Sequence, residues 1–456
     1  MSRFQKIVWC LFPLVVALAT YWKMFDNYFL VDDWGWLCFA KQFKEGAITL
    51  FQQPSWGYFR PVVNAWFMVV YRLAGMHAVI YYFLNFGLHI INIYLVWYFA
   101  KTASQRYETA GLAAALFAVN VPSAEAVLWV SGISDVLGAT WVLGTLFWCH
   151  KYWQKGGNLR LSAVTVFYGL ALFTKETAAL TLPGILISDL LMWHLNRGQR
   201  FRLYSLLVII TGVYLATGLF FWRSSVAVND GLYALGWHAL KNIPILLISL
   251  LTPNPFLFGT EKYLNGSNAG WIKLMFGGLF AGQLSGLLLS LKRGSAWLKI
   301  QITWTILFIL PILFFLHPPR RTLYLASAAF SIVLVLAVRE LLPGLREKIL
   351  ITGVLIIITA DSLFIQVREN VYHNQTKLIK NAVSSVAAYC QNLPLNSVVI
   401  VRMENPPKYS HLDRAIEQGV LLLTQNDIVI SFNQPAKTSD RGYYEIKLTP
   451  EGGLQQ

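Results

Sequence analysis

Two adjacent aspartates, Asp32 and Asp33, stand in the string NYFLVDDWGWLC with aromatic residues on both sides. One of them could cap the helix that WGWLCFAKQF begins, because a carboxylate there satisfies free backbone N–H groups. A single cap accounts for one aspartate, not for the pair. A carboxylate next to a substrate hydroxyl is also what a general base requires, since it takes the proton as the oxygen attacks. Further charged residues follow: Arg60 before Pro61, Glu125 in VPSAEAVLW, then Asp135, Lys175 and Glu176 in ALFTKETAALTLP, and Arg320 and Arg321 in HPPRRTLYLAS. Each has a plain structural reading. Arg60 can snorkel, Glu125 can cap, and Lys175 with Glu176 can form an ion pair or a cap. The adjacent arginines are the sharpest anomaly, and guanidinium forks match phosphate oxygens bidentately. His89, alone among apolar residues in NFGLHIIN, reads first as a hydrogen-bonded core histidine.

These residues are carried on a chain of 456 residues that is 56% hydrophobic and only 13% charged. Soluble domains run nearer one quarter charged, so the composition points to lipid as the solvent. A helix needs about 20 apolar residues to cross the hydrocarbon core. Hydropathy places eleven spans near 7–22, 79–100, 109–121, 127–149, 161–173, 177–193, 203–222, 271–291, 300–316, 324–338 and 349–366. The first is long and lacks a small-residue cleavage site, so it reads as a retained span rather than a signal peptide. Four cysteines show no paired spacing, which argues against a zinc site or a disulfide framework.

Charge sets the orientation. With the N-terminus inside, the six inner segments hold 16 Lys and Arg in 49 residues, against 11 in 119 residues for the outer ones. That bias follows the positive-inside rule, which explains the net charge of +15 without nucleic acid. Two shorter apolar stretches, 61–75 and 238–252, would invert every later loop if they crossed. They are therefore expected to lie at the surface as interfacial helices. The result is two large outer loops, 23–78 and 223–270, with the charged residues above gathered on the outer side.

Residues 367–456 change character, with 9 basic and 8 acidic residues and no apolar run of span length. A helix near 374–390 precedes the alternating runs SVVIVRM, DIVISF and YYEIKL, which predict a small α/β domain outside the membrane. The expected division is a transmembrane module, 1–366, followed by this small domain, 367–456. No internal repeat is apparent.

The strings VDDWGWL, YFRPVVNAWF, FLNFGLHIINIYLV, NVPSAEAVLWVSGISDVLG, LFTKETAALTLPGILISDLL and RRTLYLAS, in that order, resemble the GT-C superfamily of integral-membrane glycosyltransferases. The likeness is nearest to the protein O-mannosyltransferases and to the transmembrane O-mannosyltransferases that carry tetratricopeptide repeats. It implies an all-α polytopic membrane protein of about eleven spans that uses a polyprenyl-phosphate sugar donor. By the resemblance, Asp32 is the catalytic base and Asp33 supports it. Arg321, with Arg60, Lys175 and Arg320, holds the donor phosphate, and Glu125 and Asp135 match acidic positions of the family. His89 and Glu176 are supporting polar residues. The chain departs from the pattern at Ile133, where the repeat-bearing relatives have Arg, at Thr322 and Ala326, and in lacking the repeats. These departures leave the acceptor open between protein, glycan and lipid.

The implied activity is an inverting, mannosyltransferase-like sugar transfer at the extracytoplasmic face of a membrane, with the bacterial cytoplasmic membrane as the expected setting. No cofactor or metal is expected, although an acidic pair leaves room for a divalent cation. The rival class is a transporter or flippase of a lipid-linked sugar, which would want the same cations but not the carboxylate pair.

Overall fold

The structure is a computed structural model that describes residues 1–42, 59–193, 195–221, 232–251, 269–342, 344, 347–394, 397–403, 412–424, 429–432 and 443–455. Residues 43–58 of the first expected loop and most of 223–270 lie outside the described residues.

In chain order the helices are α1 (Arg3–Tyr21), α2 (Val31–Gln42), α3 (Pro61–Ala74), α4 (Ala78–Ser104), α5 (Tyr107–Ala118), α6 (Val121–Leu128), α7 (Ile133–Lys155) and α8 (Asn158–Thr174). They continue with α9 (Thr181–Ser188), α10 (Arg197–Phe221), α11 (His238–Leu251), α12 (Ala269–Arg293), α13 (Ala296–Ile309), α14 (Tyr324–Leu341) and α15 (Glu347–Cys390). Among the described residues, eight helices are long and apolar enough to cross a membrane. They coincide with eight of the stretches expected from hydropathy, and the chain is a multi-pass membrane protein.

The other three expected spans are shorter. Residues 109–121 form α5, from Thr109 to Ala118 entirely buried between neighbouring helices. Residues 161–173 lie in α8. Residues 177–193 break into a 3-10 turn, the eight-residue α9 and a π-helical turn. Irregular backbone of this kind survives at membrane depth only where protein, not lipid, surrounds it. The two stretches expected at the surface, 61–75 and 238–252, are the 14-residue helices α3 and α11.

A polar stripe on α4 fastens the irregular turns. Asn85 donates to the carbonyls of Ala126 (3.1 Å) and Val127 (3.0 Å), and Asn92 donates to that of Val136 (3.0 Å). His89 joins three helices through Tyr324 Oη (2.7 Å) and the Ala118 carbonyl (3.1 Å). At positions i, i+4 and i+7 these side chains share one face of α4, and Asn85 and His89 meet carbonyls at the C-terminal ends of α6 and α5, where backbone partners run out. The α6–α7 turn closes tightly: a Cβ at Gly132 would lie 2.5 Å from the Ala126 carbonyl oxygen.

Helix α15 runs unbroken for 44 residues, on the order of 66 Å at 1.5 Å per residue. It passes from the apolar bundle into the polar tail, so one rigid element crosses residues 366 and 367. Beyond it come β1 (Val398–Met403), α16 (Leu412–Thr424), β2 (Val429–Phe432) and β3 (Tyr443–Leu448). The three strands form one parallel sheet in the order β2-β1-β3. α16 packs against both α15 and α2. A Cβ at Gly419 would meet Val383 at 2.3 Å, the Cys38 thiol donates to the Gln418 carbonyl at 3.0 Å, and Lys41 donates to the Leu422 carbonyl.

Candidate active site

The start of α2 is fixed by Asp33. Its Oδ2 accepts the Leu30 N–H at 2.8 Å, and its Oδ1 accepts the Ser131 N–H at 2.8 Å together with the Ser131 hydroxyl. The side chain is fully buried. Burial raises its carboxyl to about 7, against the three donated hydrogen bonds, which favour the charged form. Asp33 thus closes the α2 N-terminus and ties it to the α6–α7 turn. Asp32 instead lines a cavity, so the adjacent carboxylates serve different surroundings.

That cavity, of about 900 Å³, is lined by Leu30, Val31 and Asp32 from the α2 entry and by Glu125 and Trp129 near the end of α6. Arg321 enters from the turn before α14, Tyr372, Gln375 and Ile379 from α15, and Arg414 from α16. Charge is organised around Arg321. Its guanidinium lies 3.1 Å from Glu125, 3.8 Å from Asp135 and 4.6 Å over the Trp129 ring. A cation held over an indole between two carboxylates is fixed in direction before any substrate arrives.

Behind this wall stands a second layer. Lys175 pairs with Asp135, and Arg60 grips Glu176 through Nη2 (2.8 Å) and Nε (3.2 Å) while also reaching Ser134 (3.5 Å). Burial alone would raise the Glu176 carboxyl, but Arg60 holds it at about 2. Burial pushes the Lys175 ammonium down, and Asp135 opposes that. Lys175, Asp135 and Thr322 border a smaller cavity of about 270 Å³.

Of the residues singled out in the sequence, Asp32, Glu125 and Arg321 therefore meet in one cavity, and Asp33, Asp135, Lys175, Arg60 and Glu176 brace its walls. Arg320 sits in the same turn as Arg321, where burial, and then the charge of Arg368, push its guanidinium down while Glu125 opposes that. His89 is a core residue, buried among Tyr21, Phe86, Phe117 and Tyr324. Trp129 and Ser131, which lie within the NVPSAEAVLWVSGISDVLG string but are not singled out by it, complete the arrangement with Tyr372, Gln375 and Arg414, which gain their place only through contacts distant in the chain. Among the described residues, no three His, Cys, Asp or Glu side chains group as metal ligands. A separate apolar cavity of about 580 Å³ has Trp153, Trp193, Trp297 and Trp304 in its walls and only His150, Ser188 and Gln301 as polar members. It offers neither a carboxylate nor an arginine.

No family model and no curated protein matches the sequence. Among the solved structures similar to it in fold are ArnT from Cupriavidus metallidurans bound to undecaprenyl phosphate and the same protein in the apo state. Their TM-scores are 0.51 and 0.50, with 13% and 14% sequence identity. The similarity covers 94% and 92% of this chain and 86% and 85% of ArnT. At this coverage the chain shares the overall fold of these ArnT structures.

Proposed function

We propose that the chain is a membrane glycosyltransferase that moves a sugar from a polyprenyl-phosphate donor to an acceptor hydroxyl at the extracytoplasmic face, with inversion at the anomeric carbon. The observation that carries this reading is a single cavity with the Asp32 carboxylate on one wall and Arg321, preset by Glu125, Asp135 and Trp129, on another. The fold similarity to an ArnT structure holding undecaprenyl phosphate supports a lipid-linked donor.

In the reaction Asp32 takes the proton from the acceptor hydroxyl as its oxygen bonds to the anomeric carbon. The bond from that carbon to the phosphate oxygen breaks, and the polyprenyl phosphate leaves as an anion. Arg321 and Arg320 meet the charge as it develops, and cations already in place need no reorganisation at that moment. Arg60 and Lys175, each committed to a carboxylate, act through Asp135 and Glu176 by keeping the Arg321 wall in position. The N-terminus lies inside and the C-terminal sheet outside. Mannose is the expected sugar and the bacterial cytoplasmic membrane the expected setting.

The test is turnover of labelled polyprenyl-phosphate sugars by purified protein in nanodiscs, compared with a folded Asp32→Asn variant. Sugar transfer that collapses in the variant supports the reading. Donor binding without turnover, unchanged by the substitution, replaces it with a transporter or flippase of the lipid-linked sugar.

A further inference from the structure

At the end of the bundle remote from Asp32 lies the apolar cavity of about 580 Å³. Its mouth is a ring of half-buried tryptophans, Trp153, Trp193 and Trp297, and the buried Trp304 and Phe308 close its far end. Trp297 and Phe308 stand about 16 Å apart along α13, at 1.5 Å per residue. That is close to half of a hydrocarbon core of about 30 Å, the depth of one leaflet.

Packing holds the ring in place. Asp189, fully buried in the π-helical turn, accepts from the Leu195 N–H (3.2 Å), Arg200 Nε (2.9 Å) and Tyr204 Oη (3.3 Å). The turn it fixes sets Trp193 face to face with Trp153, ring centroids 5.5 Å apart, and edge-on to Trp297 at 6.0 Å. From α14 the wall is made by Ala328 and Ala329, whose short side chains leave the space.

The lining and the mouth ask for different chemistry. Of the three polar lining residues, His150 is engaged by Tyr98 (2.7 Å) and Gln154 (3.0 Å), and Ser188 donates to the Gly184 carbonyl (2.8 Å). With neither carboxylate nor cation in its walls, an apolar space at membrane depth favours hydrocarbon. Charge gathers at the mouth instead. Segments 151–160, 194–202 and 292–299, which carry the chain past this ring, hold nine Lys and Arg and no Asp or Glu. Basic residues where helices reach the interface attract anionic headgroups, and tryptophans settle at the same level.

We infer that this cavity holds an acyl chain of an anionic glycerophospholipid, with the headgroup among the basic residues at the mouth. The inference rests on the orientation proposed above, which puts this end of the bundle inside, and not on the transfer reaction. The seated lipid ties α7, α13 and α14 together at the end opposite the Asp32 cavity.

The test is native mass spectrometry of the full-length protein in detergent with added phosphatidylglycerol, phosphatidylcholine of the same chains, or C55 polyprenyl phosphate. Wild type should bind phosphatidylglycerol with a Kd at least fivefold below that of phosphatidylcholine. Ala329→Leu, which fills the cavity, should raise the phosphatidylglycerol Kd at least tenfold and keep the thermal midpoint. Ile332→Phe, which narrows the same cavity from the next turn of α14, repeats the test if Ala329→Leu lowers that midpoint. Lys155→Gln with Lys299→Gln should bring the phosphatidylglycerol Kd up towards that of phosphatidylcholine. Equal phosphatidylglycerol Kd values for wild type and the filling variants overturn the inference, because the lipid then binds elsewhere. Equal Kd values for the two phospholipids in wild type also overturn it. Displacement of phosphatidylglycerol by the polyprenyl phosphate, lost in the filling variants, gives the cavity to the donor's tail instead. The glycosyltransferase reading stands or falls separately, on turnover by Asp32→Asn.

Discussion

Ser131 donates its backbone N–H, at 2.8 Å, and its hydroxyl to the same oxygen of Asp33, across 98 residues of chain. The α2 entry and the α6–α7 turn are thereby joined into one rim of the cavity. Asp32, the next residue back, is aimed into the cavity by a backbone that its neighbour has fixed. Two residues of one type, side by side, are given separate tasks by burial.

Asp32→Asn should lower turnover by about 10²–10⁴-fold, the range for a lost general base, with little change in thermal midpoint. Asp33→Ala should do the reverse in kind. It strips three buried donors of their acceptor and should cost about 3 kcal/mol of stability, with activity lost through the displaced α2 entry. Thermal denaturation in detergent alongside sugar transfer separates the two effects.

The raised Asp33 carboxyl gives stability a pH dependence. An acid whose folded-state pKa lies above its ordinary value of about 3.9 holds its stabilising contribution below that value and loses it as pH rises through the folded pKa. With Asp33 at about 7, the thermal midpoint should fall as pH rises from about 4 to about 7. Asp33→Asn should flatten that slope; an unchanged slope in the variant would show that other groups produce it.

Glu176 behaves oppositely. Arg60 holds it at about 2, so the ion pair contributes above pH of about 4.3 and is lost as pH falls through about 2. Its side chain is 37% exposed while that of Arg60 is 13% exposed, which moderates the contribution. Glu176→Gln should cost about 1–2 kcal/mol. A double-mutant cycle with Arg60→Gln should return a coupling of the same order, and a coupling near zero would dissolve the pair as a brace.

Arg321→Lys keeps one positive charge but loses the fork that serves Glu125 and Asp135 and the flat face over Trp129. Turnover should fall on the order of tenfold or more, with the larger part in kcat, because the wall loses its preset direction. A variant with wild-type kcat would remove Arg321 from the transition state.

The sequence by itself determined the solvent, the bundle and the chemical suspects. Hydropathy needs only local composition, so eight spans were legible, seven of them within a few residues of their helix boundaries and the eighth, 349–366, as the first part of the 44-residue α15. Charged residues in an apolar chain draw notice wherever they sit, so Asp32, Glu125, Arg321 and their companions were legible as types. Even the three strands of the tail followed from alternation within a few residues.

Tertiary structure decided how those residues divide their work. Hydropathy averages over a window, and therefore read 177–193 as one span where the chain breaks into a 3-10 turn, α9 and a π-helical turn. Adjacent aspartates look alike until Ser131 arrives from elsewhere in the chain to claim one of them. Lys175 and Glu176 were candidates for pairing with each other, yet each found a partner from another helix, Asp135 and Arg60. The tail looked separable after residue 366, whereas a continuous α15 carries Tyr372 into the cavity and α16 brings Arg414 there. Local pattern registers a residue's type and its nearest partners. Which groups share a site depends on long-range packing, and that is set by the whole bundle at once.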